Sequence, residues 1–135
     1  MRFGEKLRKL RVEKGWTQGE LAEKAGLGKN TISNYEKGRT YPQDRTVYQT
    51  LATILGVAVD ALRNENDEFI GAAQARYGYR GRKQAEELAD VMGGLFAGGE
   101  MSDDDLDAVM RTLQDYYWKA KEENKKYGRR KAAQE

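Results

Sequence analysis

The sequence contains no cysteine, no histidine and only one proline in 135 residues. Without thiols or imidazoles, it can form neither thiolate nor imidazole metal sites, and it cannot use cysteine- or histidine-based catalysis. A chain without cysteine also suits a reducing, cytoplasmic setting. The single proline, the charged fraction of 34% and the scarcity of β-branched runs favour an all-α protein.

Long hydrophobic runs are also missing. The amino terminus, M-R-F-G-E-K, is charged and no apolar segment follows it, so we expect neither a signal peptide nor a transmembrane helix. Residues 1–63 hold 12 Lys and Arg against 7 Asp and Glu, a net charge of +5. Residues 64–135 hold 12 against 15, a net charge of −3. This asymmetry favours a polyanionic partner for the first part alone.

Residues 17–38 have the pattern of two short helices joined by a tight turn. Thr17 and Glu20 form a capping box at the start of the first helix, and Gly26 is a suitable end. A polar outer face alone would fit any αα-hairpin. The spacing of Ala22, Gly26 and Ile32 favours a close, steep crossing, as in a helix-turn-helix. The second helix, expected over about residues 29–36, presents four side chains that can read base edges: Lys29, Asn30, Ser33 and Asn34.

Three further helices are expected around this pair, which is enough for a small independently folding unit. Their apolar faces are formed by Phe3, Leu7 and Leu10, by Val47, Leu51, Ile54 and Leu55 on a helix over residues 46–55, and by Val59, Ala61 and Leu62. If the helices pack in this way, Arg11 and Glu36 meet as a partly buried ion pair; otherwise they are ordinary surface charges.

Residues 3–63 resemble the Cro/C1-type helix-turn-helix domain of the phage-repressor and xenobiotic-response-element (XRE) family. Matching runs include Thr17-Gln18, Leu21-Ala22, Ile32-Ser33, Glu36-Lys37-Gly38 and Leu55-Gly56-Val57. The resemblance implies a five-helix globule that binds operator DNA, usually as a dimer. Gly28 departs from the family pattern, which has Ser or Thr there to cap the recognition helix and touch a phosphate. Asn30 or backbone N–H groups would have to replace that contact.

This resemblance predicts a transcriptional repressor that binds an inverted-repeat operator as a homodimer. The base contacts would come from Lys29, Asn30, Ser33 and Asn34. The phosphate contacts would come from Gln18, Lys37, Arg39, Thr40, Tyr41 and Gln43. The alternative is a protein-interaction module of antitoxin or antirepressor type that uses the same fold.

The remaining chain is predicted to be a helical linker (64–82), an αα-hairpin that dimerises (83–124) and a basic flexible tail (125–135). Segment 81–118 resembles the carboxy-terminal region of Gram-positive XRE-type regulators through its runs L-F-A-G-G-E-M-S-D-D-D and Y-Y-W-K-A-K. The alternative is a hairpin that folds back on its own amino-terminal domain. The predicted dimer interface comprises Leu88, Met92, Leu95, Phe96, Leu106, Val109, Met110, Leu113 and Tyr117.

No catalytic, metal or cofactor site is expected. The acidic cluster around Asp103 lacks the glycine and the distal glutamate of an EF-hand loop, and it suits the first turn of a helix capped by Ser102. The expected partners are an operator in double-stranded DNA and a second copy of the chain. A regulatory protein that releases the repressor from DNA is a further candidate partner, and no contact with a membrane is expected.

Overall fold

The computed structural model describes residues 1–96 and 102–134, with the side chains of residues 95, 96, 103 and 125–134 left aside. The described residues form helices and turns only, which confirms the predicted all-α class. The helices are α1 (Phe3–Glu13), α2 (Gln18–Ala25), α3 (Lys29–Glu36), α4 (Arg45–Leu55), a 3₁₀ turn (Val59–Ala61), α5 (Glu65–Phe96) and α6 (Asp103–Gln134). The chain divides into two compact units, residues 1–88 and residues 89–135.

The core of the first unit is built around Phe3, which is fully buried at the start of α1. Its ring meets the rings of Tyr35 and Tyr48 edge-on, with centroids 5.4 and 5.0 Å apart. Edge-to-face pairs of this kind contribute about 0.5–1.5 kcal/mol beyond the burial of their area. Aliphatic side chains from all four short helices and the 3₁₀ turn complete this core: Leu7, Leu21, Ile32, Leu51, Leu55 and Leu62.

The predicted capping signals are present. The Thr17 hydroxyl accepts a hydrogen bond from the Glu20 N–H at 3.1 Å, and Gly26 ends α2. At the end of α3, Gly38 takes a positive φ of 71°. The N–H groups of Gly38 and Arg39 then bond back to the carbonyls of Tyr35 and Asn34 at 3.0 Å each. This is a Schellman motif, and it satisfies carbonyls that a helix end would otherwise leave unpaired.

The region after Pro42 differs from the sequence prediction in detail. Helix α4 begins one residue earlier than expected, because the Asp44 carboxylate accepts from the Thr46 N–H at 2.9 Å and caps it. Tyr48 is fully buried whereas the predicted core residue Val47 is half-exposed, since the Tyr48 ring fills the space against Phe3. The expected fifth helix is a single 3₁₀ turn.

The first half of α5 packs against the helix-turn-helix unit, which differs from the linker predicted over residues 64–82. Its side chains Phe69, Ile70 and Ala73 are buried. Gly71 lies so close to the loop after α3 that an added Cβ would be 3.0 Å from the Tyr41 Cβ. The first compact unit therefore extends to residue 88, well beyond the boundary expected after Arg63.

Two further features define α5. Asn64 caps it, its side-chain oxygen accepting from the Asp67 N–H at 2.7 Å. Gly78 interrupts the helical backbone with φ 69° and ψ −152°, a conformation accessible to glycine and rarely to other residues. The helical turns that begin at Tyr79 therefore follow a kink.

The second unit contains the last turns of α5 and helix α6. The Ser102 hydroxyl accepts from the Asp105 N–H at 3.2 Å, as predicted for an N-cap. Met92 is buried, and α6 carries half-exposed apolar side chains at Leu106, Val109, Met110, Leu113 and Tyr117. Leu88 is half-exposed at the end of the first unit, and the side chains of Leu95 and Phe96 lie outside those described. Helix α6 continues through Gln134, where a flexible tail was predicted from residue 125.

Candidate nucleic-acid interface

Helix α3 has one buried and one open face. Ile32 and Tyr35 are buried against the core. On the opposite face Lys29 and Asn30 are exposed, while Ser33 and Asn34 are half-exposed. The four side chains predicted to read bases thus share one accessible surface of one helix. An amine, two amides and a hydroxyl can together donate to and accept from base edges in a major groove.

The amino-terminal end of α3 lacks a side-chain cap. Gly28 occupies the N-cap position with an extended backbone (φ −77°, ψ 150°), and no side chain bonds to the first N–H groups of the helix. The free N–H groups of a helix amino terminus attract anions, a phosphate among them. The departure from the family pattern at Gly28 therefore leaves backbone donors at this end of α3.

An ion pair holds the other end of α3 to α1. Arg11 binds the Glu36 carboxylate through Nε at 2.8 Å and through a second nitrogen at 2.9 Å, and Glu36 is 3% exposed. The Arg11 guanidinium also donates to the Trp16 carbonyl at 2.7 Å. The hydrogen bonds that Arg11 donates to Glu36 raise the pKa of Arg11 above its usual value. The predicted pair is present, and its bidentate geometry fixes the orientation of α3 relative to α1.

Gln18 joins the same cluster. Its side-chain amide, at the first residue of α2, donates to Glu36 at 3.3 Å. One amide hydrogen remains for a further acceptor, since a primary amide carries two. Gln18 is therefore positioned by a buried carboxylate and can still contact a phosphate or a neighbouring side chain.

Gly4 was not singled out from the sequence, yet it allows the contact between α1 and α3. An alanine Cβ at this position would lie 2.1 Å from the Tyr35 carbonyl oxygen and 3.1 Å from that of Glu36. Only glycine fits such an approach of two backbones. No local pattern reveals this role, because the neighbouring helix lies about 30 residues away in the chain.

The loop between α3 and α4 only partly matches the predicted phosphate contacts. Lys37 and Arg39 are exposed and Thr40 is half-exposed, as such contacts require. Tyr41 is 4% exposed, and burial raises the pKa of its hydroxyl to about 12. The predicted phosphate contact from Tyr41 is wrong, because its ring is enclosed beneath α5.

The Gln43 side chain also forms hydrogen bonds within the protein. Its amide nitrogen donates to the carbonyls of Tyr41 at 3.2 Å and of Gly71 at 3.0 Å. Both side-chain amide hydrogens are thereby used, so the Gln43 side chain has no donor left for a phosphate. Its role is to join the loop to α5.

Helix α5 also bonds to the residues that follow α3. Gln74 donates to the Arg39 carbonyl at 2.7 Å, and the Arg82 guanidinium donates to the Gly38 carbonyl. Both acceptors are backbone groups just past the end of α3. A cation such as Arg82 is favourable near a helix carboxy terminus, because the carbonyls there carry partial negative charge. The position of the loop is thus set from α5 as well as from α3.

The described residues include no group of three or more Asp and Glu side chains placed to hold a metal ion. Over the same residues, no helix is long and apolar enough to cross a membrane.

Residues 2–65 match a family model described as a helix-turn-helix domain. The immunity repressor protein of Bacillus phage phi105 is 28% identical over 135 residues, covering 94% of this chain and 92% of that protein. The SPbeta prophage-derived uncharacterized HTH-type transcriptional regulator YonR of Bacillus subtilis (strain 168) is 33% identical over 96 residues, covering 64% of this chain and 88% of that regulator. Among solved structures, the SinR protein/SinI protein complex aligns at 26% identity and a TM-score of 0.44, over 70% of this chain and 98% of that chain.

This chain belongs to the helix-turn-helix family of transcriptional regulators. The family predicted from residues 3–63 is confirmed.

Proposed function

We propose that the protein represses transcription by binding an operator in double-stranded DNA, with α3 in the major groove. The accessible polar face of α3, held between α1 and the α3–α4 loop, carries this proposal. The phage phi105 relative is named an immunity repressor, which favours repression over activation. A repressor of bacterial or phage genes acts in the cytoplasm, where its operator is. The proposal includes no catalytic step.

The contacts divide into two sets. Ser33 and Asn34, with Lys29 and Asn30 from the first turn, address base edges; an Asn side chain can pair bidentately with adenine and a Lys side chain can address guanine. Gln18, Lys37, Arg39 and Thr40 contact the phosphate backbone on either side of the helix. Such backbone contacts fix register, whereas the base contacts select sequence.

As part of this proposal, two copies of the chain bind an inverted repeat. The two recognition helices would then enter successive major grooves about 34 Å apart. Support comes from the second unit, where α6 presents a row of half-exposed apolar side chains that a second copy would cover: Leu106, Val109, Met110, Leu113 and Tyr117.

The deciding experiment is selection of bound duplexes from a random pool, using the full chain. We expect enrichment of an inverted repeat with half-sites one helical turn apart. A pool that shows no enrichment, together with no salt-dependent retention of mixed duplex DNA, would contradict the proposal and favour a protein-interaction module instead.

A pair of variants then separates the two sets of contacts. Asn34→Ala is expected to relax preference at one base position and to cost roughly 1–3 kcal/mol on the selected site. Arg39→Ala is expected to weaken all duplexes alike and to reduce the salt dependence. An unchanged selection profile for Asn34→Ala would show that Asn34 reads no base.

A further inference from the structure

A block of positive charge lies in the part of α5 that belongs to the first unit. Residues 69–85 contain four cations, Arg76, Arg80, Arg82 and Lys83, and no Asp or Glu. In the sequence they belong to the acidic part of the chain. In the structure they belong to the first compact unit, whose residues 1–88 hold 16 Lys and Arg against 12 Asp and Glu, a net charge of +4.

This block adjoins the loop that follows α3. Gln74 and Arg82 bond to the backbone of Arg39 and Gly38, so α5 is fixed directly against that loop. Lys37, just past the end of α3, and Lys83 line the same cavity. The charges of α5 therefore continue the surface on which Lys37 and Arg39 lie.

Three of the four cations are exposed, Arg76, Arg80 and Lys83, and the last two follow the kink at Gly78. Arg80 is exposed, and the Lys83 side chain is 47% exposed with the Glu86 carboxylate 3.9 Å away. They lie three residues apart on one helix, so they are neighbours on its surface. Tyr79, 65% exposed, lies beside them, its ring centroid 5.6 Å from the Lys83 ammonium. Arg82, in contrast, is buried and bonded to Gly38.

We infer that Arg80 and Lys83 form a second phosphate-contact surface for duplex DNA, outside the helix-turn-helix. The kink at Gly78 begins the turn that carries them, and the bond from Arg82 to the Gly38 carbonyl holds that turn beside the α3–α4 loop. Arg and Lys side chains can both contact the backbone phosphates, and such contacts carry no information about base sequence. This inference rests on the proposed DNA binding and extends its footprint along the duplex.

The test neutralises both cations in the full chain with Arg80→Gln and Lys83→Gln. The matched control is Lys9→Gln with Lys14→Gln, which removes the same charge from an exposed position in α1 and an exposed position just after it. Lys14 lies near Gly56 at the end of α4. Affinity is measured at several salt concentrations, on a selected operator and on an unrelated duplex. A charge-conserving variant, Arg80→Lys with Lys83→Arg, completes the set.

Each phosphate contact contributes about 0.9 to the slope of log affinity against log salt. The neutralised variant should therefore lose a slope of about 1.8, equivalent to roughly 30-fold in affinity at 0.15 M salt, on both duplexes. The control and the charge-conserving variant should keep the wild-type slope.

A neutralised variant with the wild-type slope, or with the slope of the control, overturns the inference and leaves the proposed function standing. That outcome would assign the basic surface to an acidic partner other than DNA. A wild-type chain that binds no duplex overturns both proposals.

Discussion

Replacing Gly4 with alanine tests whether the close approach of α1 and α3 positions the recognition helix. The new Cβ would lie 2.1 Å from the Tyr35 carbonyl oxygen, whereas ordinary contacts of a Cβ begin at 3.4 Å. Both groups in the clash belong to the backbone, so no side-chain rotation relieves it. Helix α1 and the end of α3 must move apart by roughly 1 Å, which also stretches the Arg11–Glu36 pair and the contact of Phe3 with Tyr35.

Overpacking a filled core costs about 1–3 kcal/mol, and a backbone-on-backbone clash belongs at the upper end of that range. Alanine recovers up to about 1 kcal/mol over glycine within a helix. The expected net loss in the free energy of unfolding is therefore about 2 kcal/mol. For a unit of this size, that loss lowers the melting temperature by about 8–16 °C.

The matched control is Gly19→Ala in α2, where the nearest atom to an added Cβ is the Thr17 hydroxyl oxygen at 3.8 Å. This substitution should be neutral or stabilise by up to about 1 kcal/mol, because it meets no obstacle. Urea unfolding followed by circular dichroism compares the two variants, and duplex binding is measured below both midpoints. If Gly4→Ala were as stable as Gly19→Ala and bound DNA like the wild type, the assigned packing of α1 on α3 would be refuted.

Two further substitutions test the ends of helices. Gly28→Ser should stabilise α3 by a few tenths of a kcal/mol to about 1 kcal/mol. Gly28 has the extended backbone of an N-cap residue, and an added Cβ would lie at an ordinary contact distance, 3.6 Å, from the Thr31 hydroxyl oxygen. A lower unfolding midpoint in urea would contradict this prediction. Burial raises the pKa of Asp67, so the folded state binds a proton more tightly than the unfolded state, and stability is lost as pH rises through that raised pKa. Asp67→Asn should remove this loss, so that the stability of the variant relative to the wild type rises with pH from acid to neutral; a difference in unfolding midpoints that does not change with pH would refute it.

The features that could be predicted from the sequence are those that depend on residues close together in the chain. Thr17 and Glu20 mark the start of α2, Gly26 marks its end, and each signal acts within a few residues. The polar face of α3 follows from the same short-range periodicity. The Arg11–Glu36 pair was anticipated once these helices were placed, because their relative packing brings the two residues together.

The missed features all depend on residues distant in the chain. Tyr48 looked less suited to the core than Val47, but its ring is buried because Phe3 lies against it. Tyr41 looked like a loop residue available to a phosphate, and only the docking of α5 encloses it. The sequence gives no sign of the role of Gly71, which allows the loop to approach so closely that an added Cβ would lie 3.0 Å from the Tyr41 Cβ.

The docking of α5 was missed because its first residues are polar. Asn64 and Asp67 lie in the segment predicted to be a linker, yet Asp67 is 1% exposed and its carboxylate accepts from the Phe3 N–H at the first residue of α1. A buried charge usually argues against a docked interface, since its desolvation is costly. Here the charge meets a helix end that has no side-chain cap of its own.

The two buried charges of α5 are therefore matched in sign to the helix ends that they meet. Asp67 lies at the amino terminus of α1, where partial positive charge accumulates, and Arg82 lies at the carboxy terminus of α3, where the charge is negative. Apolar residues of equal size could bury as much area, but they would leave these backbone groups without partners and allow α5 to slide. Phe69 and Ile70 supply the hydrophobic contact, while the two charges fix its register. The recognition helix is thus positioned from both sides, by α1 through Glu36 and by α5 through Gly38.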